Sequence, residues 1–279
     1  MSFIPHSETD RREMLARVGV ADIRELYGDV PEEILLAGDL DMPAALSEWE
    51  AVRELGELAD ANRSLVCFAG AGQYDHHVPA AVDHIIRRSE FYTAYTPYQP
   101  EVAQGTLQAI YEFQTMVCEL TGMDVANASM YDGPSAAAEA AVMSRAVTRR
   151  DRVLAARTVH PHARKVTDTY LHGLGSGLEI VDSGPDGLVD AEALNAALGD
   201  DVACLVVQYP NFLGCIEDLE PLAEAVHAAG ALLVVLVDPV MLSVLRTPGE
   251  LGADIVVAEG QPFGNAPSFG GPVVGLFAA

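Results

Sequence analysis

Hydrophobic and polar positions along the chain fall into three patterns. From residue 5 to about 61, apolar positions recur at helical spacing in short runs, which predicts helices over 7–18 with Ser7 as N-cap, over 22–27, and over 47–62. Such a segment builds no core of its own, so it is expected to pack on the rest of the protein or on a partner. Between Phe68 and Gly105 neither the 3.6-residue nor the two-residue period fits, and the stretch is rich in Gly, Tyr, His and Pro. A helix is then predicted over 106–120, with Leu107, Ile110, Tyr111, Met116, Val117 and Leu120 as its apolar positions and Gly122 ending it.

After Gly122 helices and strands alternate. Helices are expected over 134–148, 161–171, 190–198 and 219–229, and strands over 152–156, 178–182, 202–208, 232–237, 255–258 and 272–277. Cys204-Leu-Val-Val and Leu232-Leu-Val-Val-Leu-Val are apolar on both faces, which predicts an α/β fold with a mainly parallel sheet covered by helices. The expected organisation is a helical N-terminal arm over 1–62, a Tyr/Gly-rich interface segment with a long helix over 63–122, and a large α/β domain over 123–279. Ala278-Ala279 follow directly on an apolar strand. That end reads as a truncation that leaves part of the sheet to be covered by another chain or by further residues.

Charge narrows the picture. Asp and Glu number 41 against 16 Lys and Arg, a formal net charge of −25. Nucleic acid is an unfavourable partner, because counterion release needs clustered cations and these stand together only in short pairs such as Arg11-Arg12, Arg87-Arg88 and Arg149-Arg150. Lysine is almost eliminated, Lys165 being the only one, and the acids form no block. A hydrated acidic surface of this kind suits concentrated salt, which screens like-charge repulsion, so the chain reads as halophile-like. No apolar run reaches the roughly 18 residues of a membrane helix, and the start, Met-Ser-Phe-Ile-Pro-His-Ser-Glu, has no basic region leading an apolar core. A cytoplasmic location is expected. Cys67, Cys118, Cys204 and Cys215 show no paired spacing and read as reduced core residues, with no metal implied.

Candidate chemistry lies in three places. Ser129-Met-Tyr-Asp-Gly-Pro-Ser-Ala opens a small-residue helix, an arrangement that can present backbone N–H groups to a phosphate, or simply cap the helix. Asp238 ends the most apolar strand, where ligands of open α/β sheets bind; an acid there can pair with a pyridine nitrogen or serve the turn before Pro239. The third is the strand, polar loop and Gly-rich return from Asp254 to Pro272. The lone lysine falls outside all three. Lys165 sits in His160-Pro-His-Ala-Arg-Lys-Val-Thr, a segment that reads as helical, so it is poorly placed to form a Schiff base at strand ends. His160 and His162 read as residues of a helix start, with ring stacking open to either.

Tyr92-Thr-Ala-Tyr-Thr-Pro-Tyr-Gln-Pro-Glu, Gly105-Thr-Leu-Gln-Ala and Asp124-Val-Ala-Asn-Ala-Ser-Met-Tyr-Asp-Gly carry a resemblance. With the order of elements around Asp238 and Gln261, they resemble the glycine decarboxylase P-protein family, and within it subunit 1 of the two-chain form. The resemblance runs from Phe3-Ile-Pro-His-Ser to Ser268-Phe-Gly-Gly-Pro. It implies a fold-type I PLP-dependent transferase-like architecture, stopping before that fold's C-terminal domain. It also implies a part in decarboxylating glycine and passing the aminomethyl group to the lipoyl arm of the H protein.

Gln261 stands at the position that matches the family's cofactor lysine, and an amide forms no Schiff base. By the resemblance, pyridoxal phosphate (PLP) is bound by the partner, glycine decarboxylase subunit 2, in a heterotetramer. No residue of this chain alone is then catalytic, and Ser135, Asp238 and Gln261 are vestigial cofactor-site positions. Tyr92, Tyr95 and Tyr98 are expected near the subunit interface, either reaching the partner's site by ring stacking and hydroxyl donation or packing the interface. His76 and His77 are expected in a polar interface role. The competing reading is a degenerate binding or regulatory module that contributes nothing to chemistry.

Overall fold

A computed structural model of the protein describes residues 5–36, 38, 40–63, 65–72 and 74–279; Phe3 and Ile4 of the N-terminal motif, residues 1–4 at the start read for a secretory signal, and Gln73 of the Gly-rich stretch lie outside the described residues. The chain divides into two units, Met1–Val66 and Cys67–Ala279.

The first unit holds α1 (Glu8–Val18) and α2 (Glu48–Asp60). Each starts at a reciprocal capping box: Ser7 with Asp10, and Ser47 with Glu50, which satisfies two backbone donors at each helix start. The predicted helix over 22–27 is a 3-10 helix, Ile23–Tyr27, closed by its own box between Asp22 and Glu25. No residue of these helices is buried, and Trp49, Val52, Leu55 and Leu58 of α2 are exposed.

The second unit begins with short helices that the pattern missed, α3 (Ala80–Ile86) and α4 (Ser89–Tyr92), then α5 (Gln104–Thr121), α6 (Gly133–Thr148), α7 (Pro161–Gly173), α8 (Ala191–Ala197) and α9 (Leu219–Ala228). At four and seven residues, α4 and α3 are too short to show a helical period. Among the described residues six strands build one sheet: β1 (Arg152–Ala156), β2 (Leu178–Val181), β3 (Val202–Tyr209), β4 (Leu232–Val237), β5 (Ile255–Glu259) and β6 (Gly275–Ala278). Their order is β2-β1-β3-β4-β5-β6, parallel except for the last, which runs antiparallel to β5. This is the mainly parallel, helix-covered sheet the apolar strands predict.

Leu154, Leu205, Leu233 and Ile255 are completely enclosed, each contributing about 1.5–3 kcal/mol relative to exposure. Helix α6 touches β1, β3, β4, β5 and β6. Its buried side chains are Ser135, Ala136, Ala137, Ala138, Ala140, Ala141 and Ser144, all small enough for the helix to lie close to the sheet. That packing brings its N-terminus to the C-terminal end of β5.

Two expectations are corrected. Buried cysteine holds for Cys204 alone, in the middle of β3; Cys118 and Cys215 are half-buried and Cys67, in coil outside any helix or strand, is exposed. The outer edge of β6 is also not left open by this chain: residues 125–130 pair along it. Val125 N–H donates to Ala279 O at 3.0 Å, Asn127 N–H to Phe277 O at 3.1 Å and Met130 N–H to Gly275 O at 2.8 Å, with return bonds from Ala279 and Gly275. Strand β6 itself starts three residues later than expected: Pro272 has no N–H to give, and the Val274 N–H donates to the Glu259 side chain at 3.2 Å. Among the described residues, no helix is long and apolar enough to cross a membrane.

Candidate functional site

The C-terminal ends of β1, β3, β4 and β5 lie side by side, as the parallel registers require, and this is the end of an open α/β sheet where ligands bind. At β5 the chain leaves the sheet through Glu259, Gly260 and Gln261. Gln261 is 3 % exposed; its backbone N–H donates to Glu259 Oε1 at 2.9 Å and its side-chain amide Nε2 donates to the Asn265 carbonyl. The predicted lysine position therefore carries a buried amide tied down by its own loop.

Ser135 is buried in the first turn of α6, and its roles are local. Its N–H donates to Asp132 Oδ1 at 2.7 Å and its hydroxyl donates to Asp132 O at 3.1 Å, a cap built within four residues. Asp238, half-buried beyond β4, spends Oδ1 on the Val240 N–H at 3.0 Å, the turn role. Lys165 is exposed on α7.

At β1 the His160 ring does more than start α7. Its Nδ1 accepts from the His162 N–H at 3.0 Å, so Nδ1 is the bare nitrogen and Nε2 carries the hydrogen, donated to Ala71 O at 2.8 Å. Phe212 meets the ring edge-on with centroids 5.0 Å apart, and the His160 N–H donates to Gln208 Oε1 at 2.7 Å. The Gly-rich stretch after Phe68 is thus fastened to the strand ends. Below it, Glu217 is 3 % exposed and accepts from Thr158 Oγ1 at 3.1 Å, Asn211 Nδ2 at 2.8 Å and Val189 N–H at 3.0 Å, drawing three loops together.

The interface candidates are laid out differently. Tyr95 and Tyr98 approach each other with ring centroids at 6.4 Å and line a groove of about 540 Å3 together with Thr93, Gln99, Val102 and Thr106. Tyr92, Tyr95 and Tyr98 are all about four-fifths exposed. His76 is half-buried and His77 exposed, and among the described residues neither joins a group of three or more potential metal ligands.

Pyridoxal phosphate needs a lysine amine at the strand ends and free N–H donors for its phosphate. The residues present do not fit it. Gln261 is an amide, Lys165 lies elsewhere, and at the start of α6 Glu259 Oε2 already accepts from the Gly133 N–H at 2.9 Å. Glu259, Glu217 and Asp132 escaped the sequence reading. Asp132 carried a signal, an acid at an N-cap position, whereas Glu259 reaches a partner 126 residues away and Glu217 three partners on separate loops.

The family model for the glycine cleavage system P-protein matches residues 1–279. The chain belongs to the glycine cleavage system P-protein family. It is 54 % identical over 282 residues to a probable glycine dehydrogenase (decarboxylating) subunit 1 of Desulforamulus reducens, covering 100 % of this chain and 63 % of that protein. The corresponding protein of Geobacillus thermodenitrificans is 54 % identical over 280 residues, covering 99 % and 62 %. This P-protein family chain therefore spans a little under two thirds of the length of the curated relatives it matches. It superposes on the crystal structure of a glycine decarboxylase (P-protein) of the glycine cleavage system in inhibitor-bound form with a TM-score of 0.90 at 46 % identity, covering 100 % of this chain and 63 % of that one. A sphingosine-1-phosphate lyase of Burkholderia pseudomallei shares the fold alone, with a TM-score of 0.65 at 15 % identity.

Proposed function

We propose that this chain is subunit 1 of a two-chain glycine decarboxylase, the aminomethyl-transferring glycine dehydrogenase, and acts only together with a lysine-bearing subunit 2. The observation that carries the reading is the match of the P-protein family over the whole chain, in a sequence whose one lysine is exposed on α7; the resemblance that puts Gln261 at the cofactor-lysine position supports it. The relatives' designation as subunit 1 supports a second subunit.

Pyridoxal phosphate is assigned to that partner, with Ser135, Asp238 and Gln261 remaining here as vestigial positions that serve caps and loops. The assembly releases the glycine carboxylate as carbon dioxide and transfers the aminomethyl group to the lipoyl arm of the H protein. We assign Tyr92, Tyr95 and Tyr98, with His76 and His77, to the face that meets subunit 2 in a cytoplasmic heterotetramer. The exposure of the three tyrosines is what favours this: large aromatic rings on a surface, two of them lining a groove, gain from being covered.

The test is co-expression with subunit 2 and measurement of glycine–bicarbonate carboxyl exchange. Exchange is expected from the pair and not from this chain alone; partner activity that is the same with and without this chain would refute the proposal. Tyr95→Phe and Tyr98→Phe in the assembled pair then separate hydroxyl donation from packing, since a packing role tolerates both.

A further inference from the structure

The first turn of α6 has no donor left for a ligand. An α-helix starts with four backbone N–H groups that lack partners inside the helix, and this is what makes a helix start attractive to phosphate. Here each is accounted for. Asp132 N–H donates to Ser135 Oγ at 3.3 Å, Gly133 N–H donates to Glu259 Oε2 at 2.9 Å, Pro134 has no N–H, and Ser135 N–H donates to Asp132 Oδ1 at 2.7 Å.

Glu259 is held as an anion is held in a binding loop. Its Oε1 accepts from the Gln261 N–H at 2.9 Å and the Val274 N–H at 3.2 Å, so three backbone donors, one from α6 and two from the loop after β5, converge on one carboxylate. Gly133 is what lets the helix start come this close: a Cβ there would stand 2.9 Å from Glu259 N and 3.0 Å from its Cβ. The loop from Gly260 to Val274 is gathered in by the same group, with Gly260 N–H donating to Val274 O at 2.6 Å.

We propose that Glu259 is a built-in anion standing in for a phosphate at the start of α6, and that it keeps this helix start closed to pyridoxal phosphate and other phosphate esters. The proposal rests on the reading that this chain supplies frame and not cofactor, and explains how the frame holds its shape without one. Asp132 adds a second negative group at the same helix start, so an incoming phosphate meets repulsion as well as occupied donors.

The test compares the wild-type chain with Glu259→Ala, using inorganic phosphate as the probe and potassium chloride at equal ionic strength as the control for general screening. The variant is expected to melt lower and to regain stability saturably with phosphate, by on the order of 3 °C at ten times the dissociation constant, while wild type shows only the chloride-like response. Absence of a phosphate-specific rise in the variant, or an equal rise in wild type, would overturn the proposal. Should Glu259→Ala not fold, Glu259→Gln is read by the same criteria, because its amide oxygen still accepts from the loop while the charge is gone. These measurements need no partner, so a failure of partner-dependent exchange would count against the subunit assignment and leave the plugged helix start standing.

Discussion

The imidazole Nε2 of His160 lies 2.8 Å from the carbonyl oxygen of Ala71, 89 positions earlier in the chain. The ring is half-buried, with Phe212 against its edge, and Gly72 beside it leaves room where a Cβ would come within 3.4 Å. His160→Phe keeps the aromatic packing and removes both ring hydrogen bonds. Amides around residues 68–72 should then exchange hydrogen several-fold faster, and the helix start should lose about 1 kcal/mol of capping. Unchanged exchange in that stretch would mean the loop is fixed by something other than this ring.

Glu217 offers a second test, this time of stability. Its carboxylate takes hydrogen bonds from Thr158, Asn211 and Val189. Asn211 also donates to Gly187 O at 2.8 Å, so losing Glu217 leaves Asn211 partly satisfied and the other two stranded. A buried donor without an acceptor costs about 1–3 kcal/mol, so Glu217→Ala should lose about 3 kcal/mol in urea denaturation. Glu217→Gln, which keeps one acceptor oxygen, should lose clearly less. A loss below about 1 kcal/mol for both would show the three loops are held by their own packing.

How much of this was legible beforehand follows from the range of the interactions. The alternating half was readable because β3 and β4 are buried on both faces and their apolar runs say so locally, and the capping of α6 was readable because Asp132 and Ser135 are three apart. Helices α3 and α4 were not, being shorter than the pattern needed to see them. The carboxylates that organise the strand ends were invisible for a different reason: Glu259 and Glu217 look like ordinary acids until folding brings Gly133, Thr158 and Val189 to them. Gln261 was informative only by what it replaces.

Thiol chemistry should divide the four cysteines. Full burial pushes the Cys204 thiol up to about 12, against a smaller opposing effect of a hydrogen bond with Ser144, so at neutral pH it holds no thiolate to react. Cys67 is exposed. Titration with a thiol-reactive disulfide at pH 8 should label Cys67 within the mixing phase and leave Cys204 unlabelled until denaturant is added. Labelling of Cys204 in the folded chain at a rate near that of Cys67 would show that β3 opens locally.

Salt response is the sharpest test of the charge reading, because two effects oppose each other. Raising salt weakens attractive pairs such as Arg152 with Glu179 at 2.7 Å and with Asp201 at 2.8 Å, in which hydrogen bonding to the guanidinium lowers both carboxyl pKa values. Exposed pairs contribute only about 0–1 kcal/mol each. The same salt relieves repulsion from a net charge of −25 that folding concentrates into a small volume. Between 0.1 and 1 M salt the screening length falls from about 10 to about 3 Å, shorter than most spacings between surface acids but comparable to a direct ion pair. Repulsion is therefore screened more completely than attraction, and the melting temperature should rise by about 5 °C or more across that range. Sucrose at matched water activity separates screening from general exclusion, since it stabilises without touching charge. A melting temperature that falls with added potassium chloride would show that the attractive pairs outweigh the excess of acids, and the halophile-like reading would be wrong.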